Sequence, residues 1–158
     1  MGGGWTCGLI KSPTLMLYFF LTTCYHFPMK VKKAGCKIIP SGVYPEKHEL
    51  DTADFFVDLG KEVIFLKPSR TKGSSNADII MDGVIWEMKA LFGKSKRTVE
   101  RRLSIGSRQS TNIIIDARHY QQPKRFIINE VSKRFKERRK IKKIQLILDD
   151  HNFIDFRR

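Results

Sequence analysis

The period of the hydrophobic positions changes several times along this chain, and each change marks an element. Leu50, Ala53 and Val57 recur at helical spacing behind Pro45-Glu46-Lys47-His48-Glu49, which predicts a helix over 46–59. Pro45 suits a first helical turn, acids at 46 and 49 suit the positive end of the helix dipole, and Gly60 suits the stop. Val63-Ile64-Phe65-Leu66 is a short β-type run, and the polar stretch from Pro68 to Asn76 reads as a loop. Asp78-Ile79-Ile80-Met81 and Val84-Ile85-Trp86-Glu87-Met88-Lys89 are two further β-type runs. They are joined by Asp82-Gly83, the strongest short-range hairpin signal. A basic stretch from Gly93 leads into a helix over 98–110, and Ile113-Ile114-Ile115 marks a buried strand over 112–116. Pro123 opens a long basic helix to 139, and 144–148 with 153–156 form a closing hairpin around Asp149-Asp150-His151-Asn152. This alternation predicts an α/β (α+β) fold, a central mixed sheet flanked by helices, occupying 45–158 after a lead-in at 29–44.

The hairpin has a chemical consequence. A two-residue loop at Asp82-Gly83 sets Met81 against Val84, Ile80 against Ile85, Ile79 against Trp86, and Asp78 against Glu87. Directly opposed side chains stand about 5 Å apart on one face, and Lys89, two residues past Glu87, points to the same face. Two carboxylates held together repel unless a counter-charge joins them. Lys89 can offset one charge but not both. A hard divalent cation with oxygen ligands, Mg²⁺ or Mn²⁺, supplies the remainder. A cation beside an ammonium suits phosphodiester cleavage, because both stabilise charge growing on phosphate. The rival reading is a solvated strand face, since Asp-x₈-Glu-x-Lys is a weak pattern by residue type alone; the Asp-Gly turn is what strengthens it. Glu49 lies beside the apolar stripe of the first helix. It is either a third carboxylate facing the sheet or a helix-start acid worth about 0.3–1 kcal/mol. Gln109, near the end of the second helix, either hydrogen-bonds near the site or is solvated.

Charge narrows the partner. Thirty Lys and Arg against sixteen Asp and Glu give the chain a net charge of +14, a field that favours polyanions. Lys94, Lys96, Arg97, Arg101, Arg102 and Arg108 face one acid, Glu100, within 94–108. Ten basic residues, among them Lys133, Arg134, Arg138 and Arg139, face two acids within 123–143. A solvated helix face explains such density poorly, so these runs and Gln109 are assigned to nucleic acid, with binding that weakens as salt rises. No helix-turn-helix, zinc-finger or RRM signature is present, so recognition should rest on shape and backbone.

The remaining residues carry less. Cys7, Cys24 and Cys36 are odd in number and in no CxxC pair, and read as incidental thiols in a reducing compartment. His26, His48, His119 and His151 are scattered and spell no zinc site. The apolar run at 15–21 is too short for a membrane span, which needs about 20 apolar residues, so stable membrane insertion is not expected. Residues 1–28 read as a poorly specified extension, upstream of an ordinary start at Met29.

Asp78, the hairpin, Glu87-Met88-Lys89, the preceding helix with Glu49 and the following helix–strand pair together resemble the PD-(D/E)xK nuclease superfamily. Its restriction-endonuclease-like core runs αβββαβ, here with a C-terminal helix and hairpin added. More narrowly, His48-Glu49 through Gly60, Ala77-Asp78, Gly83, Trp86-Glu87-Met88-Lys89, Gln109 and Asn112-Ile113-Ile114-Ile115-Asp116 is similar to the CdiA C-terminal tRNase domains, toxin nucleases of contact-dependent inhibition systems. Asn76-Ala77 departs from the superfamily pattern, standing where its name puts a proline. The resemblance implies a catalytic core of Asp78, Glu87 and Lys89, with Glu49 completing a metal site for Mg²⁺ or Mn²⁺, zinc being left open. It implies an endonuclease acting in the cytoplasm on structured RNA, tRNA first and DNA second, whether made there or delivered from another cell. An acidic immunity protein is the implied protein partner. A non-catalytic nucleic-acid-binding module on the same fold is the alternative from another class, as is a membrane-surface protein.

Overall fold

The computed structural model describes residues 34–68 and 76–158, which belong to one unit, Lys32–Arg158. The N-terminal apolar run, Met29, Cys7, Cys24, His26 and most of the loop after Pro68 lie outside the described residues. Chain order is β1 (Cys36–Ile38), α1 (Lys47–Asp58), β2 (Glu62–Phe65), β3 (Ile79–Met81), β4 (Val84–Ala90), α2 (Thr98–Gln109), β5 (Asn112–Asp116), α3 (Lys124–Glu137), β6 (Lys143–Ile147) and β7 (Phe153–Arg157). The strands form one seven-stranded sheet in the order β1-β2-β3-β4-β5-β6-β7. The β1–β2, β4–β5 and β5–β6 pairs are parallel and the others antiparallel, so the sheet is mixed as predicted. Among the described residues no helix is long and apolar enough to cross a membrane.

Helix α1 begins and ends close to its predicted limits, with one difference. Glu46 is the N-cap, which puts Pro45 just before the helix and not in its first turn. Glu46 and Glu49 form a capping box, the Glu46 N–H donating to Glu49 Oε2 at 2.9 Å. At the far end Gly60 takes φ 81°, and Gly60 N–H and Lys61 N–H donate to the Val57 and Phe56 carbonyls at 2.8 and 3.0 Å. Those two bonds close a Schellman motif, which needs a residue tolerant of positive φ.

Strand β1 is absent from the sequence reading. Its three residues are all exposed, so no alternation announces it. It is seated by close backbone approach: a Cβ on Gly35 would collide with the Val57 carbonyl and lie 2.7 Å from the Lys61 carbonyl oxygen. Gly35→Ala is therefore expected to destabilise the fold by about 1–3 kcal/mol, the usual range for overpacking. A urea midpoint equal to the parent's would show that β1 gives way without loss.

Two apolar clusters cover the faces of the sheet. Phe56 of α1 packs with Val63, Ile79, Trp86 and Met88. On the other face Val99 and Leu103 of α2 pack with Ile113, Ile115 and Val131. Along β4, Trp86 and Met88 thus serve the α1 side, and alternation turns Glu87 and Lys89 toward α2. Helices α2 and α3 are joined by Arg134, which pairs with Glu100, Glu130 and Glu137 at 3.2, 2.7 and 3.0 Å.

Candidate active site

The Asp82-Gly83 turn has φ 48° and 77°, the doubly positive geometry of a type I′ hairpin. Ile79, Ile80 and Met81 pair with Trp86, Ile85 and Val84, the predicted register. Asp78 lies one step beyond the strand, its N–H donating to the Trp86 carbonyl at 3.1 Å. Its carboxylate reaches across the hairpin, where Oδ2 accepts the Met88 N–H at 2.7 Å, between Glu87 and Lys89 in the chain.

Glu87 is fully buried beneath α2, with Gly106 close enough that an added Cβ would lie 3.5 Å from Glu87 Cγ. Lys89 Nζ is ion-paired to Glu87 Oε1. Glu87 Oε2 is buried and has no hydrogen-bond partner. Burial, then the Asp78 charge, push the Glu87 carboxyl up to about 7 against the pull of Lys89. Asp78 is also raised, first by burial and further by Glu49, although the Met88 N–H and Lys89 oppose this.

Glu49 acts at the start of its helix and also borders the site. One oxygen caps α1, and the side chain lines a cavity of about 330 Å³ with Asp78, Asn76, Tyr44 and Gln109. Gln109 also joins that wall, its Nε2 donating to the Asn76 carbonyl at 3.4 Å. Among the described residues no three His, Cys, Asp or Glu side chains converge as a ready-made metal cluster. What the structure does offer a cation is a carboxylate pair, Asp78 half-buried and Glu87 buried with one unsatisfied oxygen, and Glu49 at the cavity wall. That all-oxygen donor set fits Mg²⁺ or Mn²⁺ better than zinc, which prefers nitrogen and sulfur.

The raised Glu87 carboxyl makes a stability prediction for the metal-free protein. Its folded pKa lies above the ordinary 4.5, so its contribution is complete below pH 4.5 and lost as pH rises through 7. At about 1.4 kcal/mol per unit the loss is on the order of 3–4 kcal/mol, read as the difference between parent and Glu87→Gln in urea unfolding from pH 4 to 8. Parallel pH curves for the two proteins would contradict it.

The basic residues are distributed unevenly. Lys94, Lys96 and Arg97 are exposed on the loop after β4, Arg101 and Arg108 are exposed on α2, and Lys133 and Arg139 are exposed on and just after α3. Arg102 and Arg138 are half-buried, and the Nε of each is buried without a partner. Arg134 is corrected: its guanidinium is committed to three glutamates and links α2 to α3, so it is not a free phosphate ligand.

Two groups escaped the sequence reading. Asp116 is buried, accepting from Thr52 Oγ1 at 3.0 Å and from Arg118 Nε and Nη2 at 3.2 and 2.7 Å. Burial alone would raise its carboxyl, but Arg118 outweighs it and holds the group below the usual range. His48 and His119, far apart in sequence, share one cavity with Phe92. No sequence signal joins them.

Comparison with known proteins follows the same outline. No curated protein matches the chain. A solved CdiA-CT/CdiI toxin and immunity complex from Burkholderia pseudomallei contains a chain alike in fold, with TM-score 0.58 over 77% of this chain and 98% of that one at 14% identity. Residues 75–153, half of the sequence and the part that carries Asp78, Glu87 and Lys89, match the contact-dependent growth inhibition CdiA C-terminal domain. The chain therefore belongs to the CdiA C-terminal domain family of contact-dependent growth inhibition.

Proposed function

We propose that this protein is a toxin of contact-dependent inhibition that acts as a metal-dependent endonuclease on a PD-(D/E)xK core. Its substrate is structured RNA, tRNA first, with DNA the alternative. The observation that carries this reading is the Asp78–Glu87 pair, Asp78 half-buried and Glu87 fully buried, with Lys89 on the Glu87 carboxylate and one Glu87 oxygen left unsatisfied. A fold does not gain stability from such a pair, so its presence points to chemistry.

Asp78 and Glu87 would hold the cation, with Glu49 supporting it from α1. A bound divalent cation neutralises the paired carboxylates and stabilises negative charge on phosphate. Lys89 has three N–H donors, one of them directed at Glu87, which leaves two for a phosphate oxygen or an attacking water. The Met88 N–H fixes the Asp78 carboxylate, so the site is set before substrate arrives. Exposed Lys94, Lys96, Arg97, Arg101 and Arg108 bind backbone phosphates beside it, with Lys133 and Arg139 further along. The choice of tRNA rests on the family resemblance, and an acidic immunity protein that masks the basic face follows from the same source and from the toxin and immunity complex of the solved relative. Action in the cytoplasm of the target cell completes the proposal.

The test is incubation of the purified chain with total tRNA and with plasmid DNA, in Mg²⁺, in Mn²⁺ and in EDTA. Cleavage that needs metal and favours tRNA supports the proposal, and cleavage of plasmid alone moves the substrate to DNA. Salt-sensitive binding without cleavage of either polymer overturns the catalytic reading.

A further inference from the structure

Close in the chain to the carboxylate residues lies a cluster of rings that the nuclease chemistry does not use. Strand β4 carries Glu87 and Lys89, and the chain runs on through Leu91 to Phe92. Phe92 is 46% exposed although two rings already flank it. His119 stacks on it with centroids 6.1 Å apart and planes 6° from parallel, and His48 meets it edge-on at 6.0 Å and 88°. The arrangement is fixed by backbone. Gly93, at φ 73°, bridges Tyr120, and its carbonyl accepts the Gln121 N–H at 2.9 Å, which brings Phe92 beside His119. Together with Lys47 and Asp51 the three rings line an open cavity of about 510 Å³.

On the proposed nuclease reading, we infer that the His48–Phe92–His119 cluster is a stacking platform for an unpaired base of the nucleic-acid substrate. Every base presents a π-face, and aromatic rings beside a basic backbone track are the usual means of holding an unstacked nucleotide. The basic track is here: Lys94, Lys96 and Arg97 follow Phe92 directly and are exposed. His48 adjoins Glu49 in the chain, and Phe92 is three residues from Lys89, which keeps their Cα atoms within about 11 Å. Asp51 in the wall repels phosphate and accepts N–H groups, so the cavity takes a base and the loop takes the backbone.

The experiment measures binding by the full chain, in EDTA to prevent cleavage, of a short single-stranded RNA and its DNA counterpart in which each base is removed in turn. Loss of one stacked base weakens binding roughly 5- to 150-fold. One abasic position should weaken the parent by that factor and leave Phe92→Ala unaffected, while Phe92→Trp restores the parent's pattern. Phe92→Ala binding as tightly as the parent, or losing affinity equally at every position, overturns the platform. If those results accompany intact metal-dependent cleavage, the platform alone is wrong; if the parent neither binds nor cuts, the nuclease reading falls and takes the platform with it.

Discussion

Glu87→Gln is expected to reduce metal-dependent cleavage by about 10²–10³-fold or more while leaving the fold intact. The side chain keeps its shape and loses the charge that, with Asp78, would hold a cation. Stability should not fall above neutral pH, because the variant no longer buries an ionised carboxyl whose ordinary preference is water. Lys89 loses one acceptor but retains the charge of Asp78 nearby. Turnover of tRNA and a thermal melt at pH 8 must be read together. Parental turnover places the reacting group elsewhere, whereas lost turnover with a lower melting point indicates misfolding and not missing chemistry.

Asp116→Ala is expected to produce the largest loss of stability, about 3–5 kcal/mol, out of the 5–15 kcal/mol or so that a domain possesses. The carboxylate is 4% exposed, and it is the hub through which Thr52 of α1 and Arg118 after β5 meet. Removing it strands a guanidinium that keeps Asp150, at 3.1 Å, the Asp51 carbonyl, at 2.9 Å, and the face of Phe55, at 5.6 Å. Asp116→Asn should cost less, because an amide still accepts one of those bonds. Equilibrium urea unfolding separates the cases; a midpoint for Asp116→Ala near that of the parent would show that solvent replaces the pair.

The hairpin and its facing carboxylates were legible because the turn is local. Asp82-Gly83 demands positive φ at both positions, and once those are granted the register of three residue pairs follows. The long helices were legible through apolar periodicity and their end signals. Strand β1 was not, since its side chains are all exposed and it is held by pairing with β2 and by the missing Cβ of Gly35. Arg134 was misread because charge density shows how many cations a helix carries, but not which of them meet carboxylates on a neighbouring helix. The Asp116–Arg118–Thr52 group and the three-ring cluster depend on contacts between elements, where single-sequence patterns carry little information.

The sheet's strand order repeats the chain's own order from first to last. Each strand therefore meets its partner as soon as it is made or threaded into place, after a loop or a single helix, and no strand must be inserted between two already joined. Such a sheet can grow by accretion at one edge, each strand pairing across a single connection to the strand before it. The carboxylate pair completes early in this sequence, when β4 closes onto β3, whereas Gly106 and Ile113 cover Glu87 only after two further elements arrive. Maturation of the centre, from an open pair of acids to a covered one, is thus written into the order of the chain.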